Sequence, residues 1–249
     1  VFNKGAEMSA VSNIIGSLGL ITRLGYLGPF PDDLMNYFTE IAFDGVDNIK
    51  SFRFLLQCLP DPYEFFEELI GRGILDYMVE TINDMDITED SYNQSSIDKQ
   101  RSIQGRVEFI YLILSDLKFA SEDPYFINLT FEKVKGPYHL YTRDAIIIYL
   151  TNIINPESTN LIQEIANQEI LSAIDDLLAV GEEQIVISCL NFVEVLLNCY
   201  SEGFQKEPST FPKIDIIESD ILELLTVYSD QADDQIDRIV AMISPQTEE

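Results

Sequence analysis

The chain has 249 residues, 46% of them hydrophobic and including 15 Phe and 12 Tyr, which is enough for a continuous core and excludes disorder over most of its length. Its 43 acidic against 15 basic residues give a formal charge of −28, which disfavours binding to nucleic-acid phosphates or anionic membrane surfaces and favours basic partners. No apolar run approaches the roughly 20 residues of a membrane span, and the three scattered cysteines (Cys58, Cys189, Cys199) read as buried, reduced thiols rather than a disulfide framework.

In chain order, residues 6–24 read as a helix with small-residue breaks at Gly16 and Gly19, and 25–31 as a turn. Asp32 and Asp33 suit the positive end of a helix carrying Leu34, Tyr37, Phe38 and Ile41 at 3–4 spacing. Gly45 breaks it, and Ile49, Phe52, Leu55, Leu56 and Leu59 form a second stripe before Pro60. A short helix follows over 62–70. Gly71 and Gly73 punctuate it, and Ile74, Met78, Val79 and Ile82 carry the next. Residues 84–97 are polar, acidic and aperiodic and read as a loop insertion. A long helix over about 98–118 buries Val107, Ile110, Tyr111, Ile113, Leu114 and Leu117.

The second half continues with a helix from Pro124 to Val134, ended by Gly136 and Pro137, and a strongly apolar helix over 140–154. Helices are expected near 158–166, 169–180 and 182–200, then a loop over 203–212, helices near 214–229 and 231–243, and a polar tail over 244–249. Ile146 to Tyr149 and Ile185 to Ile187 have strand-like composition, but both sit in long runs without turn signals, so the reading is helix throughout. From Asp144 onward 21 acids face only Lys206, Lys213 and Arg238, whereas 7 of the 15 basic residues fall between 99 and 143.

Three phrases recur: Gly73-Ile74-Leu75-Asp76, Glu169-Ile170-Leu171-Ser172 and Asp220-Ile221-Leu222-Glu223 each open an apolar helical run that a second such helix follows. Recurrence at tens of residues marks stacked helical units, none of which buries its own apolar face alone. Short, medium and long helices follow one another over 160–197, and this succession resembles an armadillo repeat. Leu69 to Leu75, with Gly73, is similar to that family's first turn, and residues 146–152 to its third-helix ending, with Asn152 on the family's asparagine position. Cys58, Asp116, Asn152 and Val195 fall on equivalent endings, with a fifth near Met242, at steps of 58, 36, 43 and about 47 residues. The resemblance implies an all-α, right-handed α-solenoid of about five armadillo-like repeats, a single domain over 1–249. It further implies that the third helices line a concave wall with Leu112, Asp116, Ile148, Asn152, Asn191, Glu194 and Val195. Leu112, Ile148 and Asn191 stand where importin-alpha-like repeats carry tryptophan, and this chain has none.

The lone histidine, His139, removes most acid–base and triad chemistry, and its setting between Tyr138 and Tyr141 reads as a helix start beside aromatics. No cysteine pair has metal-ligand spacing, and no glycine loop carries the lysine of a phosphate cradle. Adjacent carboxylates such as Asp175-Asp176 read as solvated helix faces. No enzyme activity, metal or cofactor is therefore expected. The expectation is a scaffold in a reducing compartment, cytoplasmic or nuclear, whose acidic wall binds basic or extended segments of other proteins. A structural subunit of a large cytoskeletal or ciliary assembly stays open as the alternative, with Tyr63, Phe65, Phe66, Phe204 and Phe211 as its candidate contacts. The oligomeric state stays open too.

Overall fold

The computed structural model describes residues 4–25, 30–43, 45–85, 94–121, 123–167, 170–206 and 236–239, and all regular structure among them is helical. The chain divides into two compact units, residues 1–117 and 118–249. The first holds α1 (Lys4–Arg23), α2 (Asp32–Ile41), α3 (Val46–Cys58), α4 (Pro62–Gly71), α5 (Ile74–Asn83) and α6 (Gln94–Asp116). The second holds α7 (Pro124–Lys135), α8 (Leu140–Ile153), α9 (Thr159–Asn167), α10 (Ile170–Leu178) and α11 (Glu183–Lys206), with a helical turn at 236–239. Among the described residues, no helix is long and apolar enough to cross a membrane.

Local chemistry sets most of the boundaries. Asp61 and Asp123 cap α4 and α7, accepting the Glu64 and Tyr125 backbone N–H at 2.9 Å each, and a proline follows each cap where no helical N–H is needed. Gly73 turns the chain from α4 into α5 with φ +90°, in the left-handed region that glycine enters without a Cβ penalty. Arg72, at the end of α4, donates to Glu68, to Asn36 and to Asp32, so the start of α2 is held against the end of α4.

Three boundaries differ from the sequence reading. Helix α1 runs unbroken through Gly16 and Gly19. Gly19 is a contact point: a Cβ there would stand 2.9 Å from the Phe54 ring and 3.3 Å from the Leu55 Cα, so its absence lets α1 lie close on α3. Helix α6 starts at Gln94, taking up the last residues of the expected 84–97 loop, and 86–93 lie outside the described residues. Helix α11 passes Gly203 and reaches Lys206, because an interior glycine costs only about 1 kcal/mol and does not stop a packed helix. The remainder of the 203–212 loop, most of the helices expected over 214–243 and the tail lie outside the described residues.

In the first unit α3 and α6 run parallel. Val46 abuts Gly105, the Lys50 ammonium sits 5.2 Å from the Phe109 ring centre, and Gln57 donates to Asp116. Each pair is 59 residues apart, and such a constant offset requires parallel axes. Helix α1 runs the same way along α3, from Ser12 beside Ser51 to Gly19 beside Phe54. Phe30, Phe38, Phe43, Phe52 and Phe65 interlock below this row, with ring centres 5.4–6.1 Å apart. All six residues assigned to the buried face of α6 are buried.

Candidate functional site

The second unit carries five of the seven residues expected on a partner wall, on two helices packed together. Helix α8 is apolar nearly all round and buries Ala145, Ile146, Ile147, Tyr149, Leu150 and Ile153. Beyond half-buried Leu140 and Thr151, what stays open is exposed Tyr141, half-buried Ile148 and exposed Asn152, which a period of 3.6 residues per turn puts on one side. The open line of α11 passes through Ile187, Asn191, Glu194 and Val195 to Asn198, opposite buried Ile185, Cys189, Phe192, Val193 and Leu196.

The starts of these two packed helices lie together, which sets them parallel. Near the start of α8, the Tyr141 hydroxyl donates to a Glu182 carboxylate oxygen at 2.6 Å, one residue before α11. Farther on, the buried Cys189 of α11 feels the charges of Asp144 and Arg143 on α8. Burial, reinforced by Asp144, pushes its thiol pKa up to about 12.

Arg143 anchors α8 from below. It is buried, donates from Nε to the Val134 carbonyl at 2.8 Å and from Nη2 to the Ala173 carbonyl at 3.2 Å, and lies 3.6 Å from Asp176. One side chain thus satisfies carbonyls of α7 and α10 and fixes how α8 presents Ile148 and Asn152.

The acids expected to receive a partner's lysine or arginine already hold arginines of this chain. Glu194 accepts Arg238 at 2.8 and 3.3 Å through both carboxylate oxygens. Asp116, at the end of α6, accepts Arg53 at 2.7 and 3.1 Å and Gln57 at 3.0 Å. Leu112 is half-buried on α6, and with Asp116 it belongs to the first unit, not to the α8–α11 pair. Both arginines escape a reading of local spacing, because Arg53 lies 63 residues from Asp116 and Arg238 lies 44 from Glu194. The usable signal is scarcity: Arg238 is one of only three basic residues after Asp144.

His139 stands at the start of α8, exposed, with its ring centre 5.3 Å from that of Tyr141. Cys189 and Cys199 are buried and Cys58 is half-buried, all as free thiols. Among the assembly candidates Tyr63 is exposed, Phe65 half-buried and Phe66 buried, whereas Phe211 and the side chain of Phe204 lie outside the described residues. Among the described residues, no group of three His, Cys, Asp or Glu is placed to hold a metal ion. Comparison of the chain with models of known protein families, with curated proteins and with solved structures finds no match.

Proposed function

We propose that the chain is a non-enzymatic scaffold, an armadillo-like right-handed α-solenoid of about five repeats forming one domain, that binds basic or extended segments of partner proteins in a reducing, cytoplasmic or nuclear compartment. The parallel packing of α8 on α11 carries the reading, with Ile148, Asn152, Asn191, Glu194 and Val195 left on the open lines of the two helices. Parallel rows are what stacked units produce when the last helix of each lies on the last helix of the one before. The α1, α3 and α6 row of the first unit repeats the pattern. Asparagine amides offer a donor and an acceptor to a partner's main chain, and the acidic second half speeds the encounter with a cationic segment.

A salt titration with a labelled, extended Lys/Arg-rich peptide tests this. The affinity is expected to fall as salt rises, and Asn152→Ala combined with Asn191→Ala to weaken binding about three- to tenfold at fixed salt. Affinity that ignores both salt and the two asparagines would overturn the reading.

One observation favours the alternative of a structural subunit. Ile14 and Ile21 stand exposed along α1, and Leu24, in the turn that follows it, is 77% exposed. A monomer in solution whose binding and stability are indifferent to Ile21→Ser and Leu24→Ser would remove that reading.

A further inference from the structure

A cavity of about 460 Å³ opens between the C-terminal turns of α1 and α3, lined by Thr22, Arg23, Phe54, Gln57, Cys58 and Pro60. Its size lies within the range of small-ligand sites. Just before it Gly19 lets α1 lie close on Phe54, and α3 ends as Leu59 goes extended with ψ 143°. In a chain where acids outnumber bases 43 to 15, no acid lines the cavity among the described residues.

Among the described residues Arg23 is the one charged group in the lining, and it makes no hydrogen bond or ion pair with any of them. The carbonyls at the end of α1 do not take it up. Leu24 N–H donates to the Leu20 and Ile21 carbonyls and Gly25 N–H to that of Thr22. Leu59 N–H serves Leu56 at the end of α3 in the same way. Gln57 is oriented by its bond to Asp116, whose charge Arg53 already meets. Phe54 and Pro60 supply apolar surface in the same lining.

We propose that this cavity binds an apolar carboxylate, the acid group on Arg23 and the apolar body against Phe54 and Pro60. A guanidinium takes a carboxylate with two parallel hydrogen bonds, and an aromatic face beside it shelters that pair from water. A free aryl or alkyl acid and the C-terminal residue of a peptide share this chemistry.

Cys58 makes the test direct, because it lines the cavity and is half-buried while Cys189 and Cys199 are buried. The full chain is labelled with the uncharged reagent N-ethylmaleimide, and the modified cysteine is identified by mass spectrometry. Labelling is followed with millimolar 3-phenylpropionate, its amide, and a tetrapeptide ending in Phe as free acid or amide. Both acids are expected to slow Cys58 labelling about threefold or more, the amides to leave it unchanged, and Arg23→Gln to lose the protection. Whichever acid protects better identifies the source of the ligand. The thermal midpoint gives a second readout, rising with the acids in the parent chain and not in Arg23→Gln. Acids that move neither readout, amides that match the acids, or protection that survives Arg23→Gln would overturn the assignment.

Discussion

Arg238 Nε lies 2.8 Å from Glu194 Oε1, and its Nη2 3.3 Å from Oε2, so the acid on the open line of α11 is engaged by an arginine 44 residues on. The Arg238 side chain is 55% exposed and that of Glu194 19%. A pair that water reaches through its arginine in this way contributes about 1 kcal/mol. Removing Arg238 should therefore strengthen binding of an oligo-arginine peptide by up to about fivefold, since an incoming cation then no longer has to displace Arg238 from Glu194. Fluorescence anisotropy of Arg238→Gln measures this, with Arg101→Gln as a control that makes the same change in net charge at another exposed arginine. Equal affinities in the two variants would show that Glu194 takes no part in cation binding.

The two glycines of α1 should respond in opposite directions to alanine. At Gly19 an added Cβ would meet the Phe54 ring at 2.9 Å and the Leu55 Cα at 3.3 Å. The ring can shift but the backbone cannot, so Gly19→Ala should cost about 1–3 kcal/mol. At Gly16 nothing lies within 4 Å, and alanine removes unfolded-chain entropy, so Gly16→Ala should stabilise by about 0.5–1 kcal/mol. Urea denaturation of both variants checks the pair of signs. A neutral Gly19→Ala would show that α1 and α3 do not approach as closely as described.

This pair also shows where local reading stops. An interior helical glycine looks like a break in sequence, and it becomes a contact point only once Phe54, 35 residues away, is placed against it. The helices themselves were legible because apolar residues at 3–4 spacing carry their own direction. All six core residues expected of α6 are buried, and the Asp-Pro steps at 61–62 and 123–124 start helices by local capping alone. Strand-like Ile146 to Tyr149 and Ile185 to Ile187 turned out helical because their flanks extend the same pattern. The exposure of Asn152 and Asn191 was legible too, since each is a polar residue inside an apolar helical run. The partners of Asp116 and Glu194 were not, because ion pairs across 63 and 44 residues follow from packing and leave no periodic trace.

Arg143 should be among the most sensitive polar positions of the second unit. It is buried, and its guanidinium satisfies the Val134 and Ala173 carbonyls. Arg143→Met keeps most of the stem but leaves both carbonyls short of a donor, at an expected cost of about 2–4 kcal/mol. Chemical denaturation should show that loss, whereas the same change at exposed Arg101 should stay within about 0.5 kcal/mol. If the two variants were equally stable, Arg143 would not anchor α8.

The raised thiol of Cys189 gives stability an alkaline limit. Its ordinary value is 9.0, and burial, with Asp144 adding to it, raises it to about 12 in the folded chain. Between about pH 9 and 12 the unfolded chain has therefore released a proton that the folded chain retains. The folded state then binds more protons, so the unfolding free energy falls as pH rises, by up to about 1.4 kcal/mol per pH unit from this group. Buried Tyr149 is shifted the same way by desolvation and adds to the slope above pH 10. Cys189→Ala removes one of the two groups, so the stability of that variant should decline less steeply over pH 9–10, where Cys189 acts before Tyr149. Urea midpoints at intervals across pH 8–11 for both chains measure the two slopes. Parallel curves would mean that the Cys189 thiol is not held neutral by the packing of α11 against α8.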